Sequence, residues 1–284
     1  MRRCWQLTSA ALCLCLALAA QAQTPRVLIV GDSWAAEMWQ DGTHEVVFVS
    51  NNVGQFAALG ATTTESGTTA AQWKEPARLQ LIADALQANP SIDTVQLTAG
   101  GNDFLDAWST TMPPLQVDAL KQRILDDLEI ITAFVLNQRP DIEVLLSFYD
   151  YPNFRDTRTG LIGLLFCTPL WNDLGQPSPT QLNAAAIDFI DTYAQIAEAH
   201  PRIFHIRHFG LMQNKYGIDL TPPGQLPLPG EPTLPSPLTA MRDRVGLGRD
   251  CFHLSPQGYD HLVQNLYDGY YRARFERIFS NSFE

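Results

Sequence analysis

Short apolar runs alternate with longer segments of helical periodicity along most of this chain. The runs have the length and composition of buried strands, and we predict five of them. They lie at residues 27–30, 45–50, 92–98, 142–148 and 202–206. Strands that alternate with helices are typical of an α/β fold with a mostly parallel sheet.

Four longer segments carry apolar residues at the spacing of one helix face. The predicted helices are residues 70–89, 115–138, 180–199 and 256–278. Pro90, Pro140 and Pro201 follow the first three, and proline is a usual helix stop. The pattern therefore predicts a three-layer αβα sandwich built on about five strands.

The composition is that of a folded protein with a sizeable core, since 45% of the 284 residues are hydrophobic and 17% are charged. The formal net charge is −11, and no basic run occurs. A nucleic-acid binder needs a basic face, so we expect no nucleic-acid partner. The same charge disfavours adhesion to anionic membranes.

The N-terminal residues 1–22 have the pattern of a secretory signal peptide. Arg2 and Arg3 precede an apolar stretch, and Ala20-Gln21-Ala22 provides a small-residue cleavage site. The apolar stretch is too short for a comfortable membrane span. We therefore expect a secreted or periplasmic protein with no stable membrane insertion. Residues 23–284 are predicted to form a single domain with long loops at 150–179 and 217–249.

Three of the five cysteines lie within the predicted signal peptide, which leaves Cys167 and Cys251. Two cysteines in an oxidising compartment favour one disulfide. The alternative is a pair of unpaired buried thiols.

The first predicted strand ends abruptly in Gly31-Asp32-Ser33. In open α/β sheets, ligands and chemistry lie at the carboxyl edge of the strands, where these residues would stand. Ser33 is therefore a candidate nucleophile. Gly-Asp-Ser is also ordinary turn chemistry, so the assignment depends on a base, an orienting acid and oxyanion donors elsewhere.

A candidate acid and base stand just before the last predicted helix, as Asp250 and His253. The three-residue offset lets the carboxylate reach one imidazole nitrogen, which leaves the other free to take a proton from a nucleophile. A lone histidine is more often structural, but none of the other five has an acid in this arrangement immediately before a capped helix.

Candidate oxyanion donors follow the second and third predicted strands. Gly67 can present a backbone N–H, and Asn102 of the Gly100-Gly101-Asn102-Asp103 turn can offer a side-chain N–H. Each alone is a plausible turn, yet together with the serine and histidine motifs they form a set on one edge of the sheet.

No motif in the sequence indicates a metal or an organic cofactor. His-x-x-x-His, paired Cys-x-x-Cys, acidic clusters of ligand spacing and a glycine-rich phosphate cradle are all missing from the sequence. We therefore expect neither a metal nor a cofactor.

The motifs together resemble those of the SGNH hydrolases, also called GDSL-type esterases and lipases. Four blocks occur in the family's order over nearly all of residues 23–284: Gly31-Asp32-Ser33, Gly67, Gly100-x-Asn102-Asp103 and Asp250-x-x-His253. The resemblance implies a flavodoxin-like αβα sandwich without a sharp nucleophile elbow, and no Gly-x-Ser-x-Gly motif occurs here.

The resemblance also implies the roles of the residues. Ser33 attacks an ester carbonyl, His253 acts as general base and then acid, and Asp250 orients His253. The oxyanion is bound by the backbone N–H groups of Ser33 and Gly67 and by the Asn102 side chain. Trp34 replaces the aliphatic residue usual in the family, and with Phe104 it is a possible substrate-lining residue.

The expected function is an exported serine esterase that hydrolyses carboxylic esters, with a small-molecule or glycan ester as substrate. Two alternatives remain open. The same machinery serves carbohydrate O-acetylesterases and acyltransferases, and the chain could also be a catalytically silent binding protein of the same fold. The sequence carries no signal for an oligomeric state.

Overall fold

The computed structural model describes residues 23–281, and a parallel sheet of five strands lies at the centre of this part of the chain. The strands are β1 (Thr24–Gly31), β2 (Phe56–Leu59), β3 (Thr94–Thr98), β4 (Glu143–Ser147) and β5 (Ile203–Ile206). They are ordered β2-β1-β3-β4-β5, and every neighbouring pair is parallel. The predicted signal peptide at 1–22 falls outside the described residues.

Helices connect the strands and cover the sheet. They are α1 (Ser33–Gln40), α2 (Thr43–Ser50), α3 (Ala70–Trp73), α4 (Pro76–Ala88), α5 (Gly101–Ala107), α6 (Pro114–Leu136), α7 (Phe154–Thr157), α8 (Gly160–Ile162), α9 (Thr168–Asp173), α10 (Pro179–Ala199), α11 (Leu211–Tyr216), α12 (Pro256–Leu266) and α13 (Arg272–Asn281). The π-helical turns Gly163–Cys167 and Tyr267–Tyr271 join α8 to α9 and α12 to α13. A two-stranded antiparallel sheet consists of β6 (Met241–Asp243) and β7 (Arg249–Leu254).

Alternate residues of the central strands face opposite helical layers, as the period of a strand requires. Leu28 and Val30 pack in a core with residues of α4, α6 and α10, whereas Val27 and Ile29 pack with residues of α1, α2 and α12. None of these four side chains is more than 1% exposed. Burial on both faces explains the continuous apolar run. The predicted three-layer αβα sandwich is confirmed.

The prediction of a strand at 45–50 is wrong, because these residues form the greater part of α2. Val47 and Phe48 are buried while Val46 and Val49 are about half exposed, which is the pattern of one helix face. Packing of this face overrides the strand preference of the β-branched residues. The edge strand is instead β2, whose Phe-Ala-Ala-Leu sequence carries little strand signal.

Three other stretches differ from prediction in detail. The helix expected over 70–89 is two helices, because Glu75 is extended before Pro76, as residues before proline usually are. The loop expected at 150–179 contains the short helices α7 to α9. The stretch 217–249 supplies β6, which pairs with the strand that carries the Asp-x-x-His motif.

The strand order determines where the site lies. The chain leaves β1 toward β2 on one side and β3 pairs with β1 on the other, so a crevice opens between the carboxyl ends of β1 and β3. Gly31 ends β1 here with φ +139°, and an added Cβ would lie 1.8 Å from the Thr98 carbonyl oxygen. Glycine at this position therefore lets the two strand ends close beside Ser33.

Candidate active site

Ser33 lies in the crevice at the first position of α1, directly after β1. Asp32 caps this helix, and its Oδ1 accepts a hydrogen bond from the Trp34 N–H at 3.0 Å. Ser33 is 8% exposed, so its surroundings exclude most of the solvent. The strand, the cap and the helix start together fix the position of its hydroxyl.

A hydrogen-bonded line joins three of the predicted site residues. The Ser33 Oγ lies 2.7 Å from His253 Nε2, and His253 Nδ1 lies 2.9 Å from Asp250 Oδ2. Asp250 and His253 stand on β7, which ends just before α12. Because a carboxylate only accepts hydrogen bonds, its contact with Nδ1 favours the tautomer of the neutral imidazole that carries its proton on Nδ1. Nε2 is then free to accept the Ser33 proton.

Asp250 is held from several directions. Its Oδ1 accepts the backbone N–H groups of Phe252 and His253, each at 3.0 Å. Arg244, which follows β6, donates to Oδ2 from Nε at 3.0 Å and from Nη2 at 2.8 Å. The same Nη2 donates to Glu37 of α1 at 2.7 Å, so Arg244 links the helix of the nucleophile to the strand of the acid.

These contacts keep Asp250 ionised. Burial acts to raise the pKa of its carboxyl, but the His253 ring and the two backbone N–H donors outweigh burial and hold the pKa well below its usual range. A permanent negative charge thus faces Nδ1 of His253. Such a charge stabilises an imidazolium that forms when His253 takes a proton.

Asn102 lies in the first turn of α5, after β3, as the order of the motifs predicts. It lines the same cavity as Ser33. One N–H of its amide donates to the Thr68 carbonyl at 2.8 Å, which fixes the plane of the side chain. An amide nitrogen carries two donors, so the second remains available to an oxyanion.

Gly67 lies in an exposed turn with φ +80°. Hydrogen bonds between Glu65 N–H and the Gly31 carbonyl at 2.9 Å, and between Gly31 N–H and the Thr63 carbonyl at 3.0 Å, hold the start of this turn against the end of β1. Gly67 does not line the cavity that contains Ser33 and Asn102. Of the three predicted oxyanion residues, only Ser33 and Asn102 therefore line this cavity.

The structure adds Tyr149, which the sequence motifs do not indicate. Its hydroxyl accepts the Gly101 N–H at 2.9 Å and donates to Asp32 Oδ2. Tyr149 thereby ties the turn that carries Asn102 to the turn that carries Ser33. Its place just after β4, on the same carboxyl edge of the sheet, is the signal that could have identified it.

Asp32 is buried and Tyr149 is half-buried, and the charged forms of both side chains are disfavoured. Burial raises the pKa of Asp32 to about 7, although the hydrogen bonds from Tyr149 and the Trp34 N–H oppose the rise. Burial and the nearby Asp32 hold the pKa of Tyr149 well above its usual range. Asp103 is a further structural member of its motif, since its carboxylate accepts the Ala70 N–H at 2.7 Å at the start of α3.

A narrow cavity of about 80 Å³ opens beside Ser33. Trp34 and Phe104, the two predicted lining residues, both lie in its wall. Trp34 is 3% exposed and makes edge contacts with Tyr149 and Tyr259 at centroid distances of 5.2 and 5.5 Å. Side chains of α10 form the far wall, so the cavity is largely apolar.

Cys167 and Cys251 form a disulfide, with 5.8 Å between their Cα atoms. Cys167 belongs to the π-helical turn Gly163–Cys167, and Cys251 belongs to β7 between Asp250 and His253. The bond therefore attaches the helical segment 160–173 to the strand of the candidate acid and base.

Within residues 23–281, no group of three or more His, Cys, Asp or Glu side chains is placed to hold a metal ion. No helix in that range is both long and apolar enough to cross a membrane.

No protein-family model matches the sequence, and no curated protein does. Solved structures do resemble it. A proposed platelet activating factor from Streptococcus pneumonia is 19% identical, with a TM-score of 0.51 over 88% of this chain and 86% of its own. At this identity, the likeness establishes a shared fold.

Two further structures are similar at lower scores. A lipase from a goat rumen metagenome is 12% identical with a TM-score of 0.49, and covers 87% of this chain and 98% of its own. A carbohydrate acetylesterase from Sinorhizobium meliloti is 13% identical with a TM-score of 0.48, and has the same coverage.

Proposed function

We propose that the chain is a serine esterase that hydrolyses carboxylic esters through an acyl-enzyme on Ser33. The observation that carries the proposal is the continuous line from Asp250 through His253 to Ser33, at 2.9 and 2.7 Å. Distances of this kind meet the geometric requirement for a nucleophile, its base and the group that orients the base. The narrow cavity beside Ser33 supplies room for an acyl group.

In the first half-reaction, Ser33 Oγ attacks the ester carbonyl carbon while His253 Nε2 takes the hydroxyl proton. The carbonyl oxygen becomes an oxyanion, which the Asn102 amide and the backbone N–H groups of Ser33 and Gly67 bind. The bond to the alcohol oxygen then breaks, and His253 gives its proton to that oxygen. The alcohol leaves, and the acyl group remains on Ser33.

In the second half-reaction, His253 takes a proton from water, and the resulting hydroxide adds to the acyl carbon. The bond to Ser33 Oγ breaks, His253 returns the proton to it, and the acid leaves. An alcohol acceptor in place of water would make the reaction an acyl transfer, since the same atoms and proton movements are involved.

Hydrolysis of p-nitrophenyl acetate by Ser33→Ala tests this proposal. We expect a loss in kcat of about 10⁴-fold or more, because the variant lacks the nucleophile. Ser109→Ala, which removes a hydroxyl from an exposed turn, is the matched control and should keep wild-type activity. Retention of activity in Ser33→Ala would contradict the proposal, and a binding protein of the same fold predicts no turnover by any of the three proteins.

We also propose that the chain is exported after cleavage behind Ala22. The pattern of residues 1–22 supports this, as does the disulfide between Cys167 and Cys251, since disulfides persist in oxidising compartments. Mass spectrometry of the chain recovered from a secreting bacterial host should find Gln23 at the N-terminus. A product that retains residues 1–22 would contradict the proposal.

A further inference from the structure

A second concave surface adjoins the candidate site on the side of His253. It is a groove of about 580 Å³, against about 80 Å³ for the cavity beside Ser33. Its walls come from the helical segment 160–173 and from β7, and they are mostly apolar. The lining includes Leu165, Phe166 and His253.

The chemistry of acyl transfer distinguishes the two surfaces. His253 must deliver its proton to the alcohol oxygen as that oxygen leaves, so the alcohol departs on the side of the imidazole. The carbonyl oxygen turns instead toward Asn102. The narrow cavity is lined by Asn102 and by neither Asp250 nor His253, whereas the groove is lined by both of these and not by Asn102. Of the two surfaces, the groove is thus the one on the side of the leaving alcohol, and the cavity, which Ser33 itself lines, is left for the acyl group.

The helical wall of the groove exposes two large apolar side chains. Leu165 and Phe166 are 58% and 63% exposed, and both line the groove. The disulfide from Cys167 to Cys251 holds their turn against β7, two residues from His253. Large exposed apolar side chains that border a site commonly mark a binding surface for an apolar group.

We propose that this groove binds the alcohol half of the substrate, and that the preferred substrates are esters of a short acyl group with a bulky apolar alcohol. The inference rests on the proposed esterase function and names its substrate class. Because the groove is larger than the cavity, we expect the alcohol to be the larger part of the preferred substrate. Asp173 and Arg244 also line the groove, but the exposed side chains of Leu165 and Phe166 favour a hydrocarbon alcohol, because contact with them removes apolar surface from water.

Two isomeric esters test the direction of this preference. Hexyl acetate and ethyl hexanoate have the same atoms, but the first carries its hexyl chain on the alcohol and the second carries a six-carbon chain on the acyl group. We expect kcat/KM to be about tenfold or more higher for hexyl acetate, because apolar pocket contacts of a few methylenes discriminate by this amount or more. Equal values, or a preference for ethyl hexanoate, would overturn the inference.

Variants of the groove wall test its location. The double variant Leu165→Ser, Phe166→Ser should lower the ratio of kcat/KM for hexyl acetate to that for ethyl acetate by about tenfold. Leu164→Ser is the matched control, since Leu164 lies in the same turn and is 63% exposed but does not line the groove. Its ratio should equal that of the wild type.

Other outcomes have distinct meanings. An unchanged ratio in the double variant would refute the groove as the alcohol site, while Ser33→Ala would still test the esterase function separately. Equal losses in the double variant and in Leu164→Ser, confined to esters presented in phosphatidylcholine vesicles, would replace the inference with a lipid-docking role for this segment.

Discussion

The two sides of Ser33 are held in different ways. On the histidine side, defined by Glu37, Arg244, Asp250 and His253, the contacts are between charged groups, and the pKa of Asp250 is kept well below its usual range. On the oxyanion side, defined by Asp32, Tyr149, Gly101 and Asn102, the hydrogen bonds join one buried carboxyl, that of Asp32, to uncharged groups, and burial raises the pKa of Asp32 to about 7.

The reaction explains why this difference is useful. In the proposed reaction a positive charge develops on His253, so a negative charge on Asp250 would stabilise it. A negative charge develops on the carbonyl oxygen near Asn102, and a second negative charge there would repel it. The high pKa of Asp32 lets that carboxyl take up a proton near neutral pH, while its bonds to Tyr149 and the Trp34 N–H keep the turns in place.

A substitution on the histidine side is expected to lower activity more than a substitution on the oxyanion side. Asp250→Asn should lower kcat by about 10⁴-fold, because the amide neither fixes the productive tautomer of His253 nor stabilises the imidazolium. Ester hydrolysis by the purified variant measures this. Asp126→Asn, at an exposed position of α6, is the control, and a loss in Asp250→Asn of less than tenfold would contradict the assigned role.

Loss of a hydrogen-bond donor on the oxyanion side is expected to lower kcat less. Asn102→Ala should lower kcat by about 10²–10³-fold with little change in KM, since a single donor to the transition-state oxyanion is lost. Steady-state kinetics on p-nitrophenyl acetate separate kcat from KM. Asn137→Ala removes an exposed amide at the end of α6 and should behave as wild type. A KM effect alone would indicate a substrate-binding role for Asn102.

The smallest expected effect concerns the way in which the free energy of unfolding depends on pH. Between about pH 4 and 7, folded Asp32 holds a proton that the unfolded chain has released, so this group destabilises the fold as pH rises. Asp250 acts in the opposite sense, because its folded pKa lies below 3.8 and its contribution is lost as pH falls below about 4.

Urea unfolding of Asp32→Asn and Asp250→Asn across pH measures both signs. Relative to wild type, Asp32→Asn should gain free energy of unfolding as pH rises from 4 to 7, by at most about 1.4 kcal/mol per pH unit. Asp250→Asn should gain relative to wild type only as pH falls below about 4. Asp150, whose pKa burial also raises to about 7, is present in every protein and cancels in the differences. Parallel pH curves for the two variants would contradict the contrast.

The fold class could be predicted from the sequence, and the motifs also point to residues that the structure brings together. Ser33, Asp250 and His253 each stand at the end of a strand or just before a helix, in a short local motif, and the structure joins them by hydrogen bonds. Their catalytic roles stay a prediction. Arg244 could not be found, since its importance comes from contacts with Glu37, which is 207 residues away in the chain.

The wrong prediction of a strand at 45–50 also results from contacts with residues far away in the chain. Phe48 packs edge-on against Tyr271 and Phe275, at centroid distances of 5.5 and 5.1 Å. These aromatic partners lie more than 200 residues further along the chain, and no local pattern reveals them. Burial against distant elements decided the helix, whereas composition alone favoured a strand.

The central claim is that Ser33 is the nucleophile that His253 activates, and covalent labelling tests it most directly. Wild-type protein incubated with a fluorophosphonate at neutral pH should gain the mass of one phosphonyl group, and peptide mapping should place it on Ser33. His253→Ala should label far more slowly, because its serine lacks a base. Absence of the adduct in folded wild-type protein, or an adduct on another residue, would contradict the account.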